Sequence, residues 1–448
     1  MPFETTYSVR IPTNQYKKVF IDTTALFRKA VDFFIPIYLE NKELFRECEK
    51  SDDKEHLMEH LTIKTKERKT VPYDFGEKFY KFPSYYRRAA IRKAIGFAES
   101  YLSNLANWEK SDKRGKRPGI PKAGYCYPAL YRGNTFVRVD DLCAEVKVFI
   151  RNTWDWVRVP LRKCDVDYIT HHCSDRTECT PTLQKRGKVW SLDFSFKKSQ
   201  KLHDIPIKEQ VILAVDLGIN CACVCSAMKS DGTILGRRFL HLSREEDSLK
   251  HILNRIKQAQ QHGARKMPRL WAWATGMNDR IAVLTARYII DTAVEFDACT
   301  IVFEHLDTKG KKKGGRRKQR LHHWKAQYVQ AMVESKAHHL GKRVSRVNAW
   351  GTSRLAFDGS GNVLRGKDAN LGSYSVCQFP DNGEKKGKIY NCDLNAAYNI
   401  GARYFIREIL KSESEKTRLD IGAKVPQCSK RSTCTLSTLI SLNAALAS

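Results

Sequence analysis

Three short apolar segments, each bounded by an acid, constrain this chain more than any other feature. Residues 210–216 read QVILAVD, residues 300–304 read TIVFE, and residues 391–401 read NCDLNAAYNIG. The first two are continuous apolar runs of strand length that stop at Asp216 and Glu304, the pattern of strands buried on both faces. The third predicts a helix that starts at Asp393. Its small residues Ala396, Ala397 and Gly401 let that helix press against a sheet and bring its acidic end near the two strand ends. Further strands are expected at 221–227, 233–241 and 343–347, and helices at 243–261, 276–297, 325–340 and 394–410. This order predicts an α/β layer fold with a mixed sheet.

Each acid alone has an ordinary explanation. Asp216 precedes Leu217-Gly218-Ile219-Asn220, which reads as a turn. Glu304 fits a surface acid at a strand end, and Asp393 fits a helix N-cap. Together they point to chemistry. Hard divalent cations such as Mg²⁺ take carboxylate oxygens and keep several waters. Two such ions ~4 Å apart support in-line attack of water on a phosphodiester. Gly218 lets the backbone turn tightly or lets a phosphate come close.

The charge balance names the substrate class. Lys plus Arg is 79 against 49 Asp plus Glu, a formal charge of 79 − 49 = +30. A surplus spread along the chain needs a polyanion, and nucleic acid is the usual one. No basic amphipathic anchor, spanning run or signal peptide is evident, so an intracellular (cytoplasmic) protein with no membrane partner is expected. The 14 scattered cysteines predict free thiols in a reducing compartment.

The first half has another texture. Residues 1–12 alternate like a strand, 13–109 read as helical, and 110–122 (KSDKRGKRPGIPK) as a loop rich in Lys, Gly and Pro. Its clearest helix, 84–108, buries Ile91, Ile95, Ala98, Leu102 and Leu105 on one stripe. Arg87, Arg88, Arg92 and Lys93 in its first turns form either a solvated face or a backbone-phosphate contact. Residues 118–203 hold aromatic and Val-rich strand runs at 134–140, 144–151, 154–161 and 189–196, which predict a small barrel or curved sheet. The N-terminal strand is a candidate member, with the helical block as an insertion. From 412 to 448 no pattern emerges.

DLGIN at 216–220, IVFEHL at 301–306 and CDLNAAYNIGARYF at 392–405 resemble, in order and spacing, the three RuvC motifs of the transposon-encoded TnpB nucleases and the compact type V CRISPR effectors. SYYRRAAIRKAIGFAESYLSNLANW and GKRPGIPK resemble the same family's N-terminal half. The resemblance implies a multidomain α+β and α/β protein: a wedge-type β-barrel (1–12 and 118–203) and an inserted helical recognition domain (13–117), followed by an RNase-H-like nuclease domain (204–350 and 388–411). It implies Asp216, Glu304 and Asp393 as catalytic ligands of two Mg²⁺ ions, with Mn²⁺ as a substitute. The implied partners are a guide RNA and matching target DNA with a short flanking motif. Such a protein delegates sequence choice to guide pairing. A guided regulator that does not cut, and a transposase or resolvase of the same nuclease fold, are the alternatives.

One departure is visible. The family carries two Cys-x-x-Cys pairs between the second and third acidic motifs, forming a zinc ribbon. Here only Cys377 and Cys392 remain, short of the four ligands a structural zinc needs. No zinc is therefore expected in 351–387, with a hairpin around Asp358-Gly359-Ser360-Gly361 instead. His171, Cys173 and Cys179 match no common finger spacing. Lys309 to Arg320 carries eight basic residues and three glycines, among them Lys311, Lys312, Lys313, Arg316 and Arg317. It reads as a solvated loop or as an arm that gathers a nucleic-acid strand. Arg354 and Arg403 are candidate phosphate clamps, and Asn395 and Asn399 either orient Asp393 or cap locally.

Overall fold

In the computed structural model, the described residues are 2–447 without 13, 112, 114, 219–220, 307–324, 367–370, 372–374, 382–386 and 430–431. They form two compact units, Pro2–Ser199 and the chain from Gln200 onward.

In the N-terminal unit, strand β1 (Pro2–Arg10) is followed by helices α1 (Lys17–Glu40), α2 (Lys42–Arg46), α3 (Ser51–Thr62), α4 (Phe75–Lys78) and α5 (Ser84–Lys110). Then come β2 (Phe136–Asp140), β3 (Cys143–Ile150), β4 (Thr153–Pro160), α6 (Lys163–Cys173), β5 (Thr177–Glu178), β6 (Thr182–Arg186) and β7 (Val189–Ser199). β1 pairs with β7 antiparallel along its whole length, so the helical block is inserted between paired strands. The strands form a four-stranded sheet around β7 and a separate three-stranded sheet β2-β3-β4. Single bridges from Ala129 to Thr182 and from Arg132 to Phe136 tie the segment between them to both sheets. This differs from one continuous barrel. Helix α6 is a second departure in a stretch that reads as β-rich; its Val166, Ile169 and Cys173 are buried.

The second unit is built on a five-stranded sheet of β8 (Val211–Asp216), β9 (Cys223–Lys229), β10 (Ile234–Leu240), β11 (Thr300–His305) and β12 (Arg343–Asn348), in the order β10-β9-β8-β11-β12. The first three form an antiparallel meander, while β8, β11 and β12 run parallel. Parallel neighbours need crossovers. Helices α7 (Ser243–Gln261) and α8 (Pro268–Glu295) lead into β11, and α9 (Ala326–His339) lies between β11 and β12. Helix α8 begins earlier than its apolar pattern indicates because Pro268 starts it, a position where the missing N–H costs nothing.

Alternation along the central strands sorts the two faces. Leu213, Val215, Ile301 and Phe303 pack with Ala286 and Ile289 of α8 and Val329 and Val333 of α9. Ile212, Ala214 and Val302 pack on the other face against α10 (Cys392–Ser412). A Cβ added at Gly401 would lie 2.9 Å from Met228 Cε and 3.2 Å from the Cβ of Ala214. The small residues thus let α10 sit directly on β8 and β9.

Two smaller pieces complete the unit. Strands β13 (Leu364–Arg365), β14 (Val376–Gln378) and β15 (Ile389–Asn391) form an antiparallel sheet. Cys377 and Cys392 are buried there beside Ala356 and Phe379. A Leu355–Asn362 bridge closes the turn at 358–361. The C-terminal stretch, patternless in sequence, forms α11 (Glu415–Lys424) and α12 (Leu436–Ala447). Leu436, Leu439 and Leu442 of α12 join the core on the α10 side.

Candidate active site

The parallel ladder between β8 and β11 sets the site. Val215 lies opposite Phe303, so Asp216 and Glu304 are the next matched step along the two strands. Neighbouring strands run about 4.8 Å apart. Alternation turns both carboxylates to the face that α10 covers. Asp393 enters from the first turn of α10, and its Oδ2 is 3.6 Å from where a Gly218 Cβ would be. All three acids are partly buried.

Asp393 is not the N-cap that its position suggests. Asn391 caps the helix, its Oδ1 accepting from the backbone N–H of Asp393 (3.0 Å) and of Leu394 (2.9 Å). That leaves the Asp393 carboxylate available. Glu304 is fixed from two sides: the Thr352 hydroxyl donates to its Oε1, and Gln330 Nε2 donates to its backbone carbonyl at 2.9 Å. The carbonyl of Thr352 accepts from Asn399 Nδ2 at 2.9 Å. Asn399 also donates to the carbonyl of Leu355 (2.9 Å) and accepts from Leu436 N–H (3.3 Å). Asn395 donates to the Leu355 carbonyl and accepts from Phe357 N–H. These asparagines therefore hold the 352–357 loop onto α10, and through Thr352 they position Glu304.

Electrostatics bind the three acids into one cluster. Burial, then repulsion from Glu304 and Asp393, pushes the Asp216 carboxyl well above the usual range. Burial raises Glu304 against the Thr352 hydrogen bond and the Arg403 charge. It raises Asp393 against Arg365 and His241. Crowded, desolvated carboxylates hold protons until a cation replaces them. Their hard oxygen donors suit Mg²⁺. Among the described residues, no group of three His, Cys, Asp or Glu side chains closes on a single point as a one-ion cage. A two-ion site does not need one, because each ion can be shared by fewer carboxylates.

Arg365 is a neighbour that sequence reasoning missed. It donates to the Ser353 carbonyl and its charge acts on Asp216 and Asp393. Among the described residues its Nε is buried without a hydrogen-bond partner, which costs energy unless something at the site accepts from it. No periodic pattern marks a lone arginine on a two-residue strand.

The basic candidates divide. Arg403 is no phosphate clamp: it is 4% exposed. Its guanidinium donates to the carbonyls of Asn348 (2.9 Å), Trp350 (2.7 Å), Ser432 (2.6 Å) and Cys434 (3.0 Å). The nearly unbroken run of apolar and small residues around it, LNAAYNIGARYFI at 394–406, could have revealed this, since an arginine in such a helix has no solvent to reach. Arg87 pairs with Glu59, Arg88 with Glu55, and Arg92 with Glu55 and Asp52. Three acids on one face of α3 thus pair with three arginines of α5, of which Arg92 stays exposed and Arg87 and Arg88 are half-buried. Lys93 and Arg354 are exposed. Lys311, Lys312, Lys313, Arg316 and Arg317 lie outside the described residues. Cys173 is buried while His171 is exposed.

Among solved structures, this chain is similar to CasPhi-2 (Cas12j) bound to crRNA and phosphorothioate-DNA: TM-score 0.45, 11% identity, 88% of this chain and 90% of that one. It is also similar to Cas12f1 in its sgRNA–target DNA complex, with TM-score 0.33, 14% identity and coverage of 89% and 98%. C2c1 of Alicyclobacillus acidoterrestris with single-guide RNA gives TM-score 0.39, 10% identity and coverage of 87% and 69%. The Aq_aa04 family matches residues 5–150, inside the N-terminal unit and apart from the three carboxylates. A relative from Aquifex aeolicus (strain VF5), the uncharacterized protein aq_aa04, is 31% identical over 143 residues, covering 29% of this chain and 79% of that protein. At that identity and coverage, this chain belongs to the Aq_aa04 family.

Proposed function

We propose that this protein is an RNA-guided DNA endonuclease that hydrolyses phosphodiester bonds at Asp216, Glu304 and Asp393 with two Mg²⁺ ions. The observation that carries the reading is the matched register of Asp216 and Glu304 on the sheet face where Asp393 enters. The order of the three acidic motifs and the +30 charge support guide RNA and guide-matched DNA as partners. On this reading, residues 204–350 and 388–411 are the nuclease domain and 351–387 an insertion without zinc. The N-terminal unit serves the guide and the flanking DNA motif.

The chain's own groups divide the work. The three carboxylates supply the oxygens that hold the ions. Thr352 fixes one oxygen of Glu304, so the other stays oriented. The Asn391 cap holds the first turn of α10, keeping Asp393 at the strand ends. Arg365 Nε offers a hydrogen bond to a phosphate oxygen, which would satisfy that buried donor. Two ions held there would supply the Lewis acidity to activate an attacking water and to offset charge on the leaving 3′ oxygen. Asp216→Ala is expected to abolish guided cleavage while RNA binding persists; cutting that survives would place the site elsewhere. Stoichiometric zinc in chelator-washed protein would overturn the zinc-free insertion.

A further inference from the structure

A cavity of about 400 Å³ lies on the other side of the β8 end from the carboxylates, with Leu217 and Gly218 in its wall. It falls in the range of small-ligand pockets, roughly 300–1,000 Å³. Helices α7, α8 and α9 contribute walls to it, and it opens to solvent. Leu253, Ile281 and Val329 give it apolar walls, and Asn254 and Asn278 are among its polar lining residues. Asn278 is 8% exposed.

The charges of the lining cancel: Glu246 and Asp247 against Lys250 and Lys325. Lys325 is further engaged by Asp279. Among the described residues the lining is thus neutral in a +30 chain, and a phosphate would meet two carboxylates there. The cavity suits a flat neutral ring with hydrogen-bonding edges: apolar surfaces for its faces and the Asn254 side chain for its edge. The position narrows the occupant further. Gly218 is the shared wall, and on its far side stands Asp393. A strand whose phosphate lies on the carboxylates would pass Gly218, the residue that the cavity wall and the neighbourhood of Asp393 share.

We propose that this cavity accepts one unpaired nucleobase next to the scissile phosphate and so sets the register of the strand being cut. The inference rests on the nuclease reading above. Extruding a base is least costly in single-stranded DNA, so the substrate segment is a displaced or unwound strand.

The test walks a single abasic site through the cut strand of a guided target and measures cutting by the guide-bound protein. One register is expected to lose about tenfold, the scale of removing one stacked base, with its neighbours unaffected. Leu253→Trp, which fills the cavity, should remove that register's advantage, and Asn254→Ala should reduce it. In parallel, 2-aminopurine is placed at each position and its fluorescence read on the Asp216→Asn protein, which needs no cutting. A change confined to one register and abolished in Leu253→Trp supports the cavity. A flat abasic walk on the unmodified protein overturns it, whatever the variants do. Should Asp216→Ala cut normally, the nuclease reading fails by itself, while the fluorescence register still decides the base pocket.

Discussion

At Gly218 a methyl group would meet the carbonyl oxygen of Cys221 at 2.6 Å, and neither backbone can yield without opening the turn after Asp216. Gly218→Ala is expected to weaken Mg²⁺ binding and cutting at least tenfold, with a small change in global stability. Calorimetric titration of Mg²⁺ beside a melting curve checks this; unchanged Mg²⁺ affinity would mean that the turn has slack. The acids make a second prediction, about pH. All three have folded-state pKa values raised above their ordinary ones, so the metal-free folded protein binds more protons than the unfolded chain. Stability then falls as pH rises from about 4, the unfolded carboxylate range, through the raised folded values. The chelated protein should therefore melt lower at pH 8 than at pH 5. The difference should shrink in Asp216→Asn, and Mg²⁺ should restore the loss at pH 8. A melting temperature that rises with pH in chelated protein, with the same slope in Asp216→Asn, would contradict the cluster. The acids themselves were readable in sequence because each bounds an apolar run. Asn391, Thr352 and Arg365 were not, because capping and loop contacts leave no periodic trace.

The helix α10 is the element on which the site depends, and its supports come from far along the chain. Arg403 gathers four carbonyls from two loops, and Asn399 accepts from the first residue of α12. Lysine at 403 has no planar fork to reach these carbonyls. Arg403→Lys should cost more than about 2 kcal/mol, read by chemical denaturation, and leave the salt dependence of nucleic-acid binding unchanged. The opposite pattern would return Arg403 to phosphate binding. The strands β8 and β11 and the helix α10 were legible because buried runs and small-residue spacing survive in sequence. The helix α12 was not. STLISLNAALA follows a Ser-, Thr- and Cys-rich stretch, and its helix rests on the Leu439 and Leu442 contacts and on a cap from Asn399, far away in sequence. The missed α6 and the separate sheets of the N-terminal unit share one cause: strand runs show local alternation but not which strands pair.

Charge acts at the scale of the whole molecule, and the structure divides it into two kinds. Some cations are already engaged. Arg87, Arg88 and Arg92 hold the acids of α3, and Arg403 holds backbone carbonyls. Lys93 and Arg354 are exposed, as is Arg92 while paired. The basic stretch 309–320 follows the Glu304 strand directly in sequence, with eight cations and only one residue, Gln319, that is neither basic nor glycine. Counterion release depends only on cations that reach phosphate, with a slope in log K against log salt of roughly −0.9 per duplex phosphate neutralised, or about −0.7 for a single strand. Two charge-reducing variants should therefore behave differently. Glutamine at the eight basic positions of 309–320 should weaken DNA binding and flatten the slope by about 0.7 to 0.9 for each phosphate no longer neutralised, with the melting temperature unchanged. Arg87→Gln with Arg92→Gln should lower the melting temperature, because Glu55 is 3% exposed and would keep only one of its two partners, and leave the slope as it was. Binding isotherms over a salt series, run beside melting curves, separate the two. A flattened slope in the α5 variant would mean that those arginines leave the α3 acids for phosphate when nucleic acid binds. An unchanged slope in the 309–320 variant would leave that stretch a solvated loop and place the contact track elsewhere on the chain.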